Sequence, residues 1–508
     1  MTKPDLPRPT PLWILVFLQG GVSASSLVVE IVAGRMIAPY VGMSLYTWTA
    51  IIAVVLAGFS VGHWWGGRVG SLDTGRALRH AGWTMIAAAI STAGASLLLR
   101  GLAGPVLQAI PHPLAAITAI TMLAFFLPSL FAGVPAPILT VAAMRGRDKS
   151  EHALGVMFAT GAVGAIAGTL LAGFVFVPLL GSIATLLVVA GVYVAAAFLC
   201  FWLGRARRVE ALAGGIGVIA LLAVGAQAFA LPPVCDRESS YYCIRTVSLS
   251  DDPLDPVHLM VVDHLAHGIS GGREPRVMFT NHAAMLDALP RMRMGGRDFT
   301  SFHIGGGSYS VPRAWQDRGI TGITVAEIDP EVTETAMRNF WFTPDQTAIL
   351  HQDARTALRD SNTRYDVIVG DAFTDIAVPE HLVTQEFFQL VSDRLAPEGV
   401  FAMNLLDSVD RLEALAAMVV TLLTVFSSVE VWTEARPPEP GERRVFVLLS
   451  GASDSPVSAV TTRSPDPMRF QPLGTAFVDD IIARKAPRVL TDDFAPLSYL
   501  MGFDPVLN

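Results

Sequence analysis

Cysteine and charged residues are both scarce in this sequence, and each scarcity excludes a class of site or partner. Only three of the 508 residues are cysteine, and no Cys-x-x-Cys pair or His/Cys cluster has the spacing of metal ligands. We therefore expect no structural zinc and no other metal. Charged residues form 16% of the chain, and the formal net charge of -8 argues against a nucleic-acid partner, which would require a basic surface.

Hydrophobic residues, by contrast, form 52% of the chain and are unevenly distributed. Long apolar stretches fill 12–231, whereas 236–508 has the composition of an ordinary soluble domain. A chain of this length should hold more than one domain. We expect three parts: a multi-pass transmembrane helical domain at 1–231, a small β-strand subdomain at 236–275, and an α/β Rossmann-like domain at 276–508.

About seven apolar stretches in the first part are long enough to cross a membrane, which takes roughly 20 residues in a helix. They lie near 12–33, 46–66, 79–99, 113–143, 152–180, 182–203 and 211–231. The fourth stretch contains three prolines and is expected to kink. A cleaved signal peptide is the alternative for the first stretch, but its apolar run continues through Leu27-Val28-Val29 and favours a retained helix.

Basic residues in the short loops predict how these helices are oriented. They occur before stretch one, between stretches two and three, after stretch four and after stretch six, whereas the alternate loops offer only Arg35 and Arg100. This bias places the N-terminus in the cytoplasm, and an odd number of spans places the C-terminal domain outside. A disulfide between Cys235 and Cys243 fits that arrangement. Two free thiols would fit a cytoplasmic domain, in which case 211–231 does not cross.

Four ionisable residues lie within or at the ends of the first two stretches: Glu30, Arg35, His63 and Arg68. Ionisable groups inside a membrane are functional candidates. The alternative is that Arg35 and Arg68 anchor the helices at the interface, and that His63 lies at headgroup depth beside two tryptophans.

Four short apolar runs in the second half each end in glycine or a carboxylate, with helical sequence between them. They start at Phe302, Ile323, Ile349 and Tyr365. This alternation predicts βαβ units and a parallel sheet, and ligands bind beyond the carboxyl ends of such strands. Three further strands are expected at 399–404, 428–432 and 445–449. The last two have no helix between them and should pair antiparallel.

The residues that follow these runs form the candidate site. Gly305, Gly306 and Gly307 allow backbone N–H groups to approach a ligand, and Glu327 lies where an acid takes ribose hydroxyls. Asp353 either accepts from an adenine amino group or caps the next helix, and both roles can coexist. Asp371 either accepts a proton from an attacking amine or forms a turn.

These motifs resemble the spermidine synthases, or polyamine aminopropyltransferases, and more closely their membrane-fused relatives. The resemblance in the soluble half rests on Ile304-Gly305-Gly306-Gly307, Glu327-Ile328-Asp329-Pro330, Asp353-Ala354-Arg355, and Gly370-Asp371 followed by 379–384. In the membrane half it rests on 30–35, 38–40 and 66–68. It implies a class I S-adenosylmethionine-dependent-transferase fold. The implied reaction is transfer of an aminopropyl group from decarboxylated S-adenosylmethionine to a putrescine-like or other amine at the cell membrane, with methylthioadenosine released.

The resemblance also implies roles for individual residues. The three glycines, Glu327, Asp329, Asp353 and Ala354 would bind the nucleoside, and Asp371 would be the general base. His282 and Asp375 are the candidates for contacting the amine. Several acids that hold cationic amines in the soluble enzymes are replaced here, the glycines being followed by Ser308-Tyr309 and Asp353 by Ala354-Arg355. The acceptor therefore stays open, and a homodimer is one assembly that the sequence permits.

Two other functions remain open at this point. One is methyl transfer from intact S-adenosylmethionine, whose carboxylate would be less repelled after loss of an acid from the glycine loop. The other is a polyamine transporter or sensor whose nucleoside-binding domain does no chemistry, which the charged residues of the first two stretches keep open. An intact Asp371 argues against pure binding.

Overall fold

The computed structural model describes residues 10–372, 378–463 and 467–501. These residues divide into two compact units, Met1–Cys243 and Ile244–Asn508. The first unit is helical and the second is α/β.

Eight α-helices account for most of the described part of the first unit. They are α1 (Leu12–Val41), α2 (Leu45–Gly70), α3 (Thr74–Ala109), α4 (Pro113–Gly133), α5 (Pro135–Met144), α6 (Ser150–Leu171), α7 (Val177–Leu203) and α8 (Arg208–Ala230). A π-helical turn at Ala172–Phe176 joins α6 to α7, and a two-residue strand, β1 (Arg237–Glu238), follows α8. The expected kink in the fourth stretch is present, because α4 ends just before Pro135, which opens α5.

Six helical segments, rather than the seven separate ones predicted, are long and apolar enough to cross a membrane in the described residues. The difference arises because the predicted stretches 152–180 and 182–203 belong to one segment, Ser150–Leu203. At 1.5 Å per residue that segment would be about 80 Å long if straight, far beyond one bilayer. Its backbone leaves helical geometry at Gly181, where φ is +74°.

Hydrogen bonds at the two ends of the first unit show that the chain reverses its direction at Gly181. At one end, Arg145 donates to the Gly70 carbonyl at 2.6 Å, and Arg79 donates to the Gly204 carbonyl at 2.9 Å. Arg145 also donates to the hydroxyl of Thr74. Thr74 and Arg79 both lie at the start of α3, so the contacts of Arg145 and Arg79 are at the same end of the first unit.

The other end collects the far ends of the same helices. Arg35 donates to the Ser239 carbonyl at 2.8 Å, and the Ser182 N–H donates to Glu238 at 3.0 Å. Ser182 therefore lies at the end opposite Gly204. The chain turns at Gly181, and the six segments make seven passes through the unit.

Cys235 and Cys243 lie at this second end and are joined by a disulfide bond. Cys200 is a free, buried thiol in α7, where a cysteine packs as a small apolar side chain. Of the two basic residues weighed as interfacial anchors, Arg68 stacks over Trp64 at 3.8 Å from the ring centre, and Arg35 bonds to backbone carbonyls.

Glycines hold two pairs of these helices close together. A Cβ added at Gly164 would lie 2.3 Å from the Gly20 carbonyl oxygen, and one at Gly168 would lie 2.1 Å from that of Ala24, so α6 packs directly on the backbone of α1. In the same way, Gly66 on α2 approaches the carbonyl oxygen of Val134 between α4 and α5. Close backbone approach of this kind is how helices associate where lipid removes the hydrophobic driving force.

The second unit begins with a small β-sheet, where a β-strand subdomain was predicted, and the strands of this sheet pair antiparallel. Three of the four strands of this sheet are β2 (Cys243–Ser248), β3 (Val257–Val262) and β4 (Leu265–Gly271). Ile244 pairs with Val262, and Leu259 pairs with Ile269.

A nine-stranded mixed sheet forms the body of the second unit. Its strands are β5 (Ser301–Ile304), β6 (Ile323–Ala326), β7 (Thr347–Leu350), β8 (Tyr365–Gly370), β9 (Leu395–Ser408), β10 (Ser428–Glu434), β11 (Arg443–Gly451), β12 (Val460–Arg463) and β13 (Pro467–Pro472), in the order β12-β13-β10-β11-β9-β8-β5-β6-β7. Strands β5 to β9 are parallel, and β10 and β11 pair antiparallel as predicted.

Helices connect and cover these strands. They are α9 (Asn281–Arg293), α10 (Ser310–Asp317), α11 (Pro330–Asn339), α12 (Ala354–Asp360), α13 (Gln385–Arg394), α14 (Glu413–Leu423), α15 (Thr475–Lys485) and α16 (Leu497–Leu500). Fully buried aromatic side chains such as Phe302, Phe388 and Phe401 fill the core between sheet and helices. The chain goes from β5 outward to β6 and β7, then returns to β8 and β9 on the opposite side. The sheet therefore has its topological switch point between β5 and β8.

We predict that Gly168→Ala destabilises the first unit by about 1–3 kcal/mol, because the new methyl group would meet the backbone of α1 and force the two helices apart. The measurement is the thermal unfolding midpoint of purified protein in a non-ionic detergent. Gly155→Ala is the matched control on the same helix, since nothing lies within 4 Å of the added methyl group. Equal midpoints for the two variants would contradict the close contact.

Candidate functional site

The register of the parallel strands brings the predicted site residues to one edge of the sheet. Ile304 pairs with Ala326 on one side and with Gly370 on the other, and Gly370 pairs in turn with Met403. The residues that follow these positions therefore lie side by side on four adjacent strands. Glu327, Gly305 and Asp371 come directly after β6, β5 and β8, whereas Asn404 lies within β9, beside Asp371.

The three glycines form a bend that only glycine accommodates. Gly305 has a φ of +89° and Gly307 a φ of +51°, in the left-handed region. A Cβ at Gly305 would lie 2.7 Å from the carbonyl oxygen of Asp371 on the neighbouring strand. The three glycines are themselves half-buried. The bend is thus fixed against β8 and open on its other side, as a backbone cradle for a ligand requires.

Tyr309 supports this bend from behind and was not singled out from the sequence as a site residue. Its ring occupies the space beside Gly306, where an added Cβ would lie 2.3 Å from a ring carbon. The side chain is fully buried, stacks on Phe342 and hydrogen-bonds to the hydroxyl of Thr333 at 2.7 Å. Ser308-Tyr309, a departure from the sequence of the soluble enzymes, therefore packs the loop against the core.

Glu327 lies against the glycine bend. One carboxylate oxygen accepts from the Gly306 N–H at 2.9 Å and the other from the Asp329 N–H at 3.0 Å. The side chain is only 6% exposed, and burial raises the pKa of this carboxyl above its ordinary value of 4.5, although the two backbone N–H groups oppose the shift. The acid expected to hold ribose hydroxyls is thus a buried acceptor whose protonation is easier than that of an exposed glutamate.

Asp353 caps the next helix, which is one of the two roles weighed for it, and its contact with an adenine amino group stays a prediction. One oxygen accepts from the Thr356 N–H at 2.9 Å and caps α12, while the other accepts from the His381 ring at 2.8 Å. Burial acts to raise the pKa of Asp353, but the hydrogen bonds from His381 and Thr356 outweigh it and hold the pKa below 3.8. His381 belongs to the 379–384 segment, which carried part of the family resemblance, and was not itself selected as a site residue.

Asp371 is held by a residue that the sequence placed only in a strand. The Asn404 amide nitrogen donates to Asp371 at 2.9 Å, and Asn404 is 6% exposed. The amide oxygen of Asn404 is buried and has no hydrogen-bond partner among the described residues. The sequence signal for Asn404 is its position at the carboxyl side of an apolar strand, where side chains collect beside the ligand.

Two residues predicted to bind the nucleoside lie at the starts of helices rather than at the ends of strands. Asp329 caps α11 by accepting from the Glu331 N–H at 3.0 Å and is 1% exposed. Ala354 is the first residue of α12 and is also buried. Their contact with a ligand stays a prediction.

Histidines lie near the glycine bend on the side of the small β-sheet. The carbonyl oxygen of His267 is 3.2 Å from the position of a Cβ at Gly307. Burial, followed by the nearby His282 and His264, lowers the pKa of His267 to about 4, so this ring is uncharged at neutral pH. His282, predicted to contact the amine, is thus in the neighbourhood of His267. Asp375, predicted with it, lies outside the described residues.

Asp492, in the C-terminal segment, makes structural contacts. Arg355 donates to both of its carboxylate oxygens at 2.7 Å, and Thr384 donates to one of them at 2.7 Å. Arg355 therefore ties this segment to α12, and Thr384 ties it to the start of α13. The described residues contain no cluster of three or more side chains suited to bind a metal ion.

Comparison with known proteins agrees with this geometry. Residues 303–457 match the family model of the spermine/spermidine synthase domain. Over these residues the second unit is similar to a spermine/spermidine synthase domain. The match begins in β5 and ends after β11, so it includes the glycine bend, the three acids and Asn404.

Individual relatives extend over part of the chain. A polyamine aminopropyltransferase of Vibrio vulnificus is 27% identical over 208 residues, which cover 39% of this chain and 68% of the relative. An N-terminal histidine N-methyltransferase of Emericella nidulans is 32% identical over 196 residues, covering 37% of this chain and only 33% of its own length. The solved structure of a probable spermidine synthase from Corynebacterium glutamicum aligns with a TM-score of 0.44 at 19% identity, covering 51% of this chain and 97% of that one.

We predict that the affinity of the second unit for methylthioadenosine falls as the pH is lowered through the raised pKa of Glu327. Below that pKa the protonated carboxyl is a weaker acceptor for ribose hydroxyls, whereas above it the affinity should be constant. Because the pKa is raised, the midpoint should lie above about 4.5, in a range where Asp353 stays ionised. The measurement is calorimetric titration of the full chain from about pH 8 to about pH 5.

Glu327→Gln should remove this pH dependence and weaken binding at neutral pH. Glu334→Gln is the control, since Glu334 is exposed on α11. A Glu327→Gln protein that keeps the wild-type profile would exclude Glu327 as the titrating acceptor.

Proposed function

We propose that this chain is a membrane-integral aminopropyltransferase that moves the aminopropyl group of decarboxylated S-adenosylmethionine to an amine, with Asp371 as general base. The observation that supports it best is the pairing of Asp371 with Asn404, next to the glycine bend at the switch point of the sheet. The spermine/spermidine synthase domain is the second support.

The residues of the site supply positioning and proton removal, which is what this reaction requires. The sulfonium sulfur is a good leaving group. The amine therefore attacks the methylene carbon that joins the aminopropyl group to sulfur. The C–N bond forms while the electrons of the C–S bond pass to sulfur. The proton lost by the amine goes to Asp371, whose carboxylate the Asn404 amide orients. Glu327 and Asp353 would hold the nucleoside, with His381 sharing Asp353.

Methyl transfer from intact S-adenosylmethionine is the second candidate. It is favoured by one observation, the 32% identity to an N-terminal histidine N-methyltransferase. Aminopropyl transfer is preferred over methyl transfer because both the domain match and the aminopropyltransferase relative favour it.

We also propose that the first unit spans the membrane, with the N-terminus in the cytoplasm and the Cys235–Cys243 end outside. Large apolar side chains on α6, such as Phe158, Val163 and Ile166, are more than 60% exposed, which is typical of a surface that faces lipid. The disulfide supports an oxidising compartment at the end where it lies.

The reaction is tested with purified full-length protein, either donor and candidate amines, read by mass spectrometry. A gain of about 57 Da in the amine identifies aminopropyl transfer and a gain of about 14 Da identifies methyl transfer. Asp371→Asn should lower turnover by about 100-fold or more while leaving methylthioadenosine binding unchanged. Asn404→Ala should lower kcat by about 10- to 100-fold with little change in KM, because it removes a hydrogen bond to a charged group.

Asp393→Asn is the matched control, since Asp393 is exposed on α13 and bonds only to a neighbouring glutamine among the described side chains. Full turnover in Asp371→Asn would remove Asp371 as the base. Nucleoside binding without any mass gain, across all donors and amines, would favour the sensor alternative.

The orientation is tested by fusing a reporter that is active only outside the cytoplasm after Asn508, and in a second protein after Gly204. We expect activity in the first fusion and none in the second, because Gly204 lies at the end opposite the disulfide. The reverse pattern would overturn the proposed topology.

A further inference from the structure

A pocket of about 90 Å³ lies within the first unit, at the end that carries the disulfide. Its walls come from the end of α1, the second half of α3, the start of the pass after Gly181, and the segment after α8. The polar residues that line it include Arg35, Ser96, Arg100, Ser182 and Glu238. This volume is several times what one water molecule requires.

Several hydrogen-bond donors in this pocket have no partner. Both terminal nitrogens of the Arg100 guanidinium are buried without a hydrogen bond among the described residues, and so are Nε of Arg35 and the hydroxyl of Ser96. Buried donors of this kind are costly unless something accepts from them, and an unpaired guanidinium is the most costly. Four such atoms around one pocket indicate a missing acceptor.

The one carboxylate among the residues that line the pocket already accepts hydrogen bonds from another residue. Glu238 accepts from the N–H of Ser182 at 3.0 Å and from its hydroxyl. The other two nitrogens of Arg35 donate to the carbonyls of Tyr241 and Ser239. Neither contact reaches the free nitrogens of Arg100.

The charges define the kind of acceptor. Two guanidinium groups and one carboxylate leave one net positive charge among the lining residues. A group with one negative charge and several oxygen atoms would neutralise that charge and accept from the free donors, as phosphodiesters and carboxylates do at arginine sites. Apolar residues such as Met36, Leu99 and Ile183 line the rest of the wall.

The distribution of basic residues adds an independent observation. Arg35 and Arg100 are the two basic residues that depart from the pattern predicting the cytoplasmic side, and the fold brings both to the same pocket. A basic residue is a functional candidate when it departs from the charge pattern of the loops and keeps buried donors without hydrogen-bond partners.

We propose that this pocket is a binding site for a monoanionic oxygen group, a phosphodiester or carboxylate, held by Arg100 and Arg35 with the Ser96 hydroxyl. The group belongs either to a phospholipid entering from the bilayer or to a free anion entering from water. The phospholipid source depends on the proposed membrane placement, whereas the free anion does not. The site is separate from the synthase domain and needs none of its residues.

The experiment uses the full chain purified in a non-ionic, phosphate-free detergent. Native mass spectrometry measures bound phosphatidylglycerol against phosphatidylcholine, and thermal unfolding is followed with inorganic phosphate or acetate in place of chloride. We expect Arg100→Gln to lower occupancy by the anion at least about tenfold, and Arg100→Lys to retain part of it. Arg76→Gln is the control, because Arg76 is two-thirds exposed at the opposite end and pairs with Asp73.

Ser96→Ala gives a second variant that should fold normally, because it removes a buried hydroxyl that has no partner. Weaker binding in both Ser96→Ala and Arg100→Gln supports the site. Retention of phosphatidylglycerol identifies the lipid source, and stabilisation by phosphate or acetate alone identifies the free anion. If neither probe binds, or if both bind equally well to Arg100→Gln and Arg76→Gln, the proposal is overturned and the pocket holds water only.

Discussion

The contact between Gly305 and the carbonyl of Asp371 is the constraint on which the candidate site depends. It fixes the glycine bend against the end of β8, so the cradle and the proposed base are held at a set separation by backbone rather than by flexible side chains. Catalysis by positioning gains most from such rigidity. The same contact makes glycine obligatory at position 305, since both its positive φ and the lack of space exclude a side chain.

Around that contact, hydrogen bonds give the three acids different surroundings. Glu327 is buried with a raised pKa, Asp353 is held ionised by His381 and the start of α12, and Asp371 is oriented by Asn404. Three carboxylates at one sheet edge therefore need not act alike. An acceptor for neutral hydroxyls tolerates burial, whereas an acid that takes up a proton from an amine needs a fixed geometry.

The first unit follows a different physical rule. Its helices pack through glycine and small residues, and its outer surface is apolar, so its polar contacts gather at the two ends. At one end arginines are satisfied by helix carbonyls, as with Arg145 and Arg79. At the other, Arg100 keeps unpaired donors beside a pocket. That asymmetry distinguishes an arginine used to anchor a helix from one available to a ligand.

The sequence by itself determined the division into an apolar and a soluble half, the parallel strands, the glycine bend and the three acids. Apolar periodicity and a residue at a strand end are local signals, and burial follows them directly. The sequence also divided the apolar region around Gly181 into two stretches, 152–180 and 182–203, and the chain leaves helical geometry at that glycine. That these two stretches run in opposite directions follows only from the contacts of Ser182 and Gly204 at opposite ends of the unit. Tertiary structure alone decided the hydrogen bonds of Asn404 to Asp371 and of His381 to Asp353. It also decided that Arg35 and Arg100 line the same pocket. Each of these pairs joins residues at least 28 positions apart, and no spacing rule relates such residues until the chain is folded.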